Sequence, residues 1–241
     1  GGMVGFVVSG RVYDAIGARI AQKVGFEVMF QTGYGTSATL LGMPDYGFIG
    51  STETVENARR ICQAVSVPVI VDADTGYGNP LSVWKLVREL EAAGASGIFL
   101  EDQKWPKRCG HMTGKEVITK EEYAEKLRAA LDARKNKDFI IVARTDARAP
   151  EGLDSAIERG LEYKKNGADA IFVEAPKSIA EMKKIGQSIN APLVANMIEG
   201  GATPLLSATK LREMGFKLIL YPLSILFANA FASLQILREL R

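Results

Sequence analysis

Cysteine is nearly absent from this 241-residue chain, and its two copies, Cys62 and Cys109, are too few for the disulfide framework of a small secreted domain. Cys62 falls in an apparent helix and Cys109 in a glycine-bearing loop, so two free thiols in a reducing cytosol are expected. Charge of one sign is lacking as well. Thirty Lys and Arg against 28 Asp and Glu leave a formal charge of +2, with no dense basic run. That excludes the electrostatic footprint of a nucleic-acid binder or of a polybasic membrane anchor. Long hydrophobic runs are missing too. The longest, residues 218–234, is broken by Pro222 and polar groups and falls short of the roughly 20 apolar residues that span a bilayer. It reads as a last strand running into a buried helix. The opening GGMVGFVV has neither a basic segment nor a cleavage site, so it reads as a first strand rather than a leader. No linker or low-complexity stretch interrupts residues 1–241, which implies one domain.

What is present is a regular alternation. Hydrophobic residues make up 47% and charged residues 24%, ordinary for a chain that buries a large core. Short apolar runs at residues 4–8, 28–32, 68–71, 97–100, 139–143, 170–173, 192–195 and 217–220 are rich in Val, Ile, Leu and Phe. They lack the polar alternation of a half-exposed strand, as parallel strands buried on both faces should. Amphipathic stretches at residues 13–24, 52–65, 80–93, 120–135, 153–166, 179–189 and 207–214 separate them and read as helices. Several end in a glycine that suits a left-handed C-terminal stop. Eight strand–helix units without a break in composition predict a (β/α)8 barrel; an open doubly wound sheet is the alternative.

In a barrel, working residues belong just after the C-terminal ends of strands. Polar residues cluster there: Thr32, Gly33 and Tyr34; Asp72 and Asp74; Glu101 and Asp102; Arg144; Glu174; Asn196. Carboxylates placed directly after buried strands are costly unless a cation or hydrogen bonds meet them. Asp72 and Asp74, two apart, are expected to point the same way from a strand and to share a hard divalent cation such as Mg2+. Read alone, Asp-x-Asp before glycine is equally a turn. Residues 104–112, KWPKRCGHM, place the sole histidine, His111, two residues from Cys109 among Lys104, Lys107 and Arg108. Cationic surroundings favour a thiolate, so this loop reads as catalytic, with Gly110 and Gly114 letting it move as a lid. Zinc is disfavoured because two further ligands are missing. Thr32-Gly33-Tyr34-Gly35 is either a plain turn or a nest of backbone N–H groups for a carboxylate. Arg144 suits bidentate recognition of a carboxylate, or a salt bridge to one of the acids, and the two are compatible. Cys62 is expected to be packed and inert.

Taken together, VYDAIGARIA (12–21), LGMPD (41–45), VDADTGYG (71–78), FLEDQ (99–103), KRCGH (107–111), ARTDA (143–147), FVEAP (172–176) and NMIEGG (196–201) resemble the isocitrate lyase/phosphoenolpyruvate mutase superfamily, in particular its methylisocitrate and dimethylmalate lyase-like branch. The resemblance implies a cytoplasmic, Mg2+-dependent (or Mn2+-dependent) enzyme that makes or breaks C–C or P–C bonds beside an α-oxyacid. It implies Asp72 and Asp74 as metal anchors with Glu101 nearby through water. It implies Thr32, Gly33, Tyr34, Asp45, Gly110, Glu174 and Asn196 around a small carboxylate substrate. Cys109, His111, Arg144, Lys107 and Arg108 become the catalytic set, with Cys109 protonating the enolate carbon. Thr32 replaces the common serine, and Phe30 stands where tyrosine is frequent. Relatives continue past the position of Arg241 into helices, one of them exchanged between subunits, and assemble as dimers of dimers. The leading expectation is therefore a lyase that splits a 2-hydroxy di- or tricarboxylate into a 2-oxo acid and a carboxylate. A phosphonomutase, an oxaloacetate hydrolase or decarboxylase, and a non-catalytic metabolite-binding barrel are the alternatives.

Overall fold

A computed structural model describes residues 7–108 and 114–241. Eight parallel strands close in the order of the chain. They are β1 (Val7–Val12), β2 (Met29–Gln31), β3 (Val69–Asp72), β4 (Gly97–Glu101), β5 (Ile140–Thr145), β6 (Ala170–Val173), β7 (Leu193–Asn196) and β8 (Phe216–Leu220). The helices are α1 (Ala15–Val24), α2 (Gly33–Leu41), α3 (Ser51–Ala64), α4 (Pro80–Ala93), α5 (Lys120–Ala133), α6 (Leu153–Lys165), α7 (Ile179–Ser188), α8 (Ala208–Glu213) and α9 (Ser224–Leu240). The barrel reading therefore holds, and the open sheet is excluded.

Local chemistry sets the element ends. The Asp14 carboxylate accepts from Gly17 N–H at 2.7 Å and starts α1. Asn79 caps α4, whose first residue, Pro80, has no N–H to leave unpaired. Gly94 closes α4 at φ 97°, in the left-handed region where a side chain is strained.

Successive strand residues face opposite sides, and the two cores follow that period of two. Outward-facing Val71, Ile98, Leu100, Ile141, Ile171 and Ile219 pack with Ala18, Ile61, Leu86 and Leu127 from the helices. Inward-facing Phe30, Ile70, Phe99, Val142, Phe172, Val194 and Leu218 fill the barrel. The Phe30, Phe99 and Phe172 rings meet edge to face, with centroids 4.5 and 5.7 Å apart. Two residues beyond Phe30, Ile70, Phe99, Val142, Phe172 and Val194 stand Thr32, Asp72, Glu101, Arg144, Glu174 and Asn196. The polar mouth is thus the next inward layer above an aromatic and aliphatic floor.

Three expectations are corrected. The first strand lies at Val7–Val12, four residues later than its end was placed, because its register partners are Gly10 with Met29 and Val12 with Gln31. The segment after β2 is neither a plain turn nor a loop: Thr32 caps α2, its hydroxyl accepting from Gly35 N–H at 3.4 Å. The last helix, expected to be buried, is exposed. No residue of α9 is buried, and Phe231, Ile236 and Leu237 are each more than 60% exposed, because the helix runs off the barrel instead of packing on β8. Among the described residues no helix is long and apolar enough to cross a membrane.

Candidate active site

The mouth formed by the C-terminal strand ends holds a cavity of about 420 Å³, counting its opening to solvent. Arg11, Thr32, Tyr34, Asp45, Asp72, Lys107, Arg108, Arg144, Glu174 and Asn196 supply its polar walls, and Ile198, Pro222 and Leu223 its apolar side. Cationic side chains outnumber carboxylates there, four to three. A cavity of this kind attracts small ligands with more than one negative charge.

The two aspartates are arranged differently from the expectation. Asp72 ends β3, but Asp74 has left the strand at φ 47°. Their convergence comes instead from the tight turn after β3. A Cβ at Gly33 would stand 3.1 Å from Asp72 Oδ2 and 3.4 Å from Asp74 Oδ1, so only a residue without a side chain leaves that space open. Gly33 N–H, in the first turn of α2, donates to Asp72 Oδ2 at 3.3 Å. Asp74 is 3% exposed, and Tyr77 Oη donates to its Oδ2 at 3.3 Å. Burial pushes Asp74 up to about 7, against the pull of the Lys107 ammonium and with Asp72 and Asp45 pushing further.

Lys107 ties the site to its surroundings. Its Nζ lies 2.6 Å from Asp45 Oδ1 and 2.7 Å from Asp74 Oδ1, with the lysine itself 3% exposed. Burial disfavours that charge, but Asp74, Asp45, Glu101 and Asp72 outweigh it and hold the lysine well above its usual range. Asp74 Oδ1 is nonetheless a buried oxygen with no well-directed hydrogen bond. Together with Asp72 Oδ2 it offers a hard-oxygen pair suited to Mg2+, which commonly takes one or two carboxylates and keeps waters. Among the described residues no group of three or more His, Cys, Asp or Glu is placed to hold a metal ion. Glu101 is turned to other partners: Gln103 Nε2 donates to it at 3.0 Å, and Arg144 Nε lies 3.4 Å away. Burial raises the Glu101 carboxyl well above the usual range, with Arg144 opposing.

Arg144 forms the salt bridge foreseen for it and also reaches the cavity. Its Nε and Nη2 donate to Asp146 at 2.8 and 3.1 Å, while the guanidinium carbon lies 5.3 Å from the Phe172 ring centroid and the side chain lines the cavity. Lys115 Nζ meets the same Asp146 at 2.6 Å, both side chains fully buried. Asn196 Nδ2 donates to Glu174 Oε1 at 3.3 Å.

Thr32, Tyr34, Asp45, Asp72, Lys107, Arg108, Arg144, Glu174 and Asn196 therefore gather around one cavity, with Gly33 and Asp74 directly beside it. Arg108 is exposed at the rim. Cys109, Gly110 and His111 lie outside the described residues. Cys62, far from the mouth, has its thiol pushed up to about 11 by burial. Arg11 and Lys115 were not anticipated as parts of the site, whereas Gln103 and Asp146 belong to the polar cluster expected after strands four and five. Gln103 fastens the loop after β4 by accepting from Arg108 N–H at 3.0 Å and donating to Arg108 O at 2.8 Å. Arg11 was missed because the first strand was placed too early; the correct register makes it an inward residue near that strand's end.

Comparison with known proteins agrees with this geometry. The phosphoenolpyruvate phosphomutase family model matches residues 5–241. The chain is 47% identical over 235 residues to 2,3-dimethylmalate lyase of Eubacterium barkeri, covering 98% of this chain and 81% of that one. It is 49% identical over 241 residues to the chloroplastic carboxyvinyl-carboxyphosphonate phosphorylmutase of Arabidopsis thaliana, covering 98% and 71%. The solved structure of a 2,3-dimethylmalate lyase superposes with a TM-score of 0.95 at 35% identity, covering 98% of this chain and 80% of that one. With the family model spanning nearly the whole barrel, the chain belongs to the phosphoenolpyruvate mutase/isocitrate lyase superfamily.

Proposed function

We propose that this protein is a Mg2+-dependent carbon–carbon lyase of the cytoplasm. Its substrate would be a 2-hydroxy di- or tricarboxylate of the methylisocitrate or dimethylmalate kind, split into a 2-oxo acid and a carboxylate. The observation that carries the reading is the convergence of Asp72 Oδ2 and Asp74 Oδ1 beside a cavity whose cations outnumber its acids. Asp72 and Asp74 would hold the metal, with Glu101 behind them. Bound there, Mg2+ supplies Lewis-acid stabilisation of negative charge on the substrate's 2-oxygen.

The chain's own residues do the rest. Thr32, Gly33 and Tyr34, at the N-terminus of α2, receive the carboxylate beside the reacting carbon. Glu174, which accepts from Asn196, takes the proton of the 2-hydroxyl. As C2–O becomes a carbonyl, the C2–C3 bond breaks and its electron pair passes to C3, where the neighbouring carboxylate delocalises it. Arg144 and Lys107, with Arg108 and His111 at the loop, stabilise that charge. Cys109 then gives its proton to C3, the role the family resemblance implies for it. Its thiolate regains a proton as Glu174 loses one.

Pyruvate or glyoxylate release from 2,3-dimethylmalate and 2-methylisocitrate, followed with and without chelator, tests this reading. Release that disappears in chelator and returns with Mg2+ is expected; no release from any hydroxy diacid refutes it. Identity of 49% with the phosphorylmutase favours one second reading, a phosphonomutase. Turnover of carboxyphosphonoenolpyruvate, with the hydroxy diacids untouched, would identify it. The exposed apolar face of α9 supports association of the chain with copies of itself, as a dimer of dimers.

A further inference from the structure

We infer that Arg11 holds the far carboxylate of the substrate and so makes the site selective for 2-hydroxy acids that carry a second carboxylate. This rests on the lyase reading for which end of the substrate the metal would anchor.

The position of Arg11 follows from strand geometry. It is an inward residue of β1, registered opposite Phe30, and only 7% exposed. Its guanidinium carbon stands 4.3 Å from the Phe30 ring centroid. Arg144 stands in the same way over Phe172, at the other end of the row of three rings that forms the cavity floor. The floor therefore carries two guanidiniums, one at each end, and both reach the cavity. Aromatic faces hold such planar cations, whose N–H donors lie along the guanidinium edge.

Both arginines are anchored by hydrogen bonds. Arg144 has two of its nitrogens committed to Asp146. Arg11 Nη1 donates to a neutral acceptor, Asn196 Oδ1, at 3.0 Å, reaching across β8 to do so. A guanidinium offers five donors in a fixed fork, and a carboxylate accepts two of them side by side. The site's geography then assigns the ends. Asp72, Asp74 and the start of α2 gather on the β2–β3 side of the mouth, where a 2-hydroxy carboxylate would be chelated. The Arg11–Asn196 pair bridges β1 and β7, with Pro222 and Leu223 of the segment after β8 beside it in the wall. A ligand group reaching that pair is one displaced along the substrate from the chelated end.

Titration calorimetry in saturating Mg2+ tests this with two ligands that differ only at the remote group: malate, and 2-hydroxybutyrate, in which a methyl replaces the second carboxylate. Oxalate serves as the probe of the chelated end alone. Wild type is expected to bind malate roughly tenfold or more tightly than 2-hydroxybutyrate, the scale of a hydrogen-bonded charge pair. In Arg11→Met the preference should fall to about twofold, with oxalate affinity unchanged within about twofold, since a charge-assisted bond is lost only at the remote end. Arg11→Gln keeps a donor toward Asn196 but removes the charge, so it must also lose the preference, and it decides the matter if the methionine variant does not fold. A preference retained in Arg11→Gln, an oxalate affinity that falls in step with malate, or no preference in wild type overturns the inference. A wild-type chain that shows the preference yet cleaves no hydroxy diacid retires the lyase reading and leaves Arg11 its role.

Discussion

Replacing Lys115 by methionine probes whether the buried charges behind the mouth are as tightly balanced as their geometry implies. Lys115 Nζ lies 2.6 Å from Asp146 Oδ1, and neither side chain has any exposure. Asp146 also takes the two bonds from Arg144, and its own backbone N–H donates to Asp102 at 2.8 Å. Removing one partner from a buried ion pair costs about 3–5 kcal/mol, because a desolvated charge is left uncompensated. Arg144 remains in contact with Asp146, so the lower end applies, about 3 kcal/mol. For a chain of this size each kcal/mol corresponds to roughly 2–4 °C, so calorimetry should record a melting point about 6–12 °C lower. The pair can be isolated with Asp146→Asn: in that background Lys115→Met should cost clearly less, a coupling on the order of 1–3 kcal/mol. The acid side gives a second readout. Burial pushes the Asp146 carboxyl up, but Arg144 and Lys115 outweigh it and hold it below its usual 3.8. A depressed carboxylate contributes stability that is present above about pH 4 and lost as pH falls below it. Lys115→Met weakens the depression, so acid unfolding should begin at a higher pH. A variant within about 0.5 kcal/mol of wild type, or one strictly additive with Asp146→Asn, would show that this carboxylate does not need its second cation.

Four further outcomes are expected. Asp74, raised to about 7, Asp102, raised to about 6, and Glu101, raised well above its range, all hold protons that the unfolded chain releases. Metal-free stability should therefore fall as pH rises from about 4 to 7, by about 3 kcal/mol from Asp102 alone. Urea titrations at several pH values check this, and a rise across that range contradicts it. Mg2+ competes with the Asp74 proton, so its stabilising effect should be larger at pH 8 than at pH 6 and should vanish in Asp74→Ala. With its thiol near 11, Cys62 presents about a hundredfold less thiolate at pH 8 than an ordinary cysteine. Iodoacetamide labelling read by mass spectrometry should modify Cys109 first, and equal rates would place Cys62 in the wrong environment. Finally, Phe231→Glu with Leu237→Glu on the exposed face of α9 should reduce the mass seen by light scattering, while an unchanged mass assigns association to another surface.

Most of the fold was legible because a buried parallel strand has a compositional signature that needs no tertiary information. Residues 170–173 and 80–93 were bounded without error, the first by flanking polar residues and the second by Asn79, Pro80 and Gly94. Where boundaries slipped, the cause was competition between signals. Gly10 and Arg11 look like the end of a strand, yet Gly10 is accommodated because a Cβ there would crowd Met29 and Ala21, and Arg11 follows inside the barrel. Likewise Thr32-Gly33-Tyr34-Gly35 carries turn composition, and only the Thr32 cap shows that it opens a helix. The acids and Arg144 were legible from their place after strands. Lys115 and Arg11 were not, since neither stands after a strand and each acquires meaning only from a partner 31 or 185 residues away.

The alternation that builds the barrel also explains why its mouth is so densely charged. One inward layer is aromatic and aliphatic; the next must either be apolar and close the barrel or be polar and leave a cavity. Here it is polar, and every charged member incurs desolvation from the layer beneath. Asp146 offsets that cost for Arg144, whereas Lys107 at Asp74, and Arg144 and Gln103 at Glu101, offset it only in part and leave both carboxyls raised. Each of those pairings is also a restraint on where a ligand's charge can be received. A divalent ion at Asp72 and Asp74 would have to contend with Lys107 for the same buried oxygen. The pairing between the loop after β4 and the acid turn after β3 is therefore the contact through which metal occupancy and loop position are joined. Lys107→Met separates the two: it should change the Mg2+ affinity measured by calorimetry even without substrate, whereas a lysine that served only to bind substrate would leave metal affinity alone.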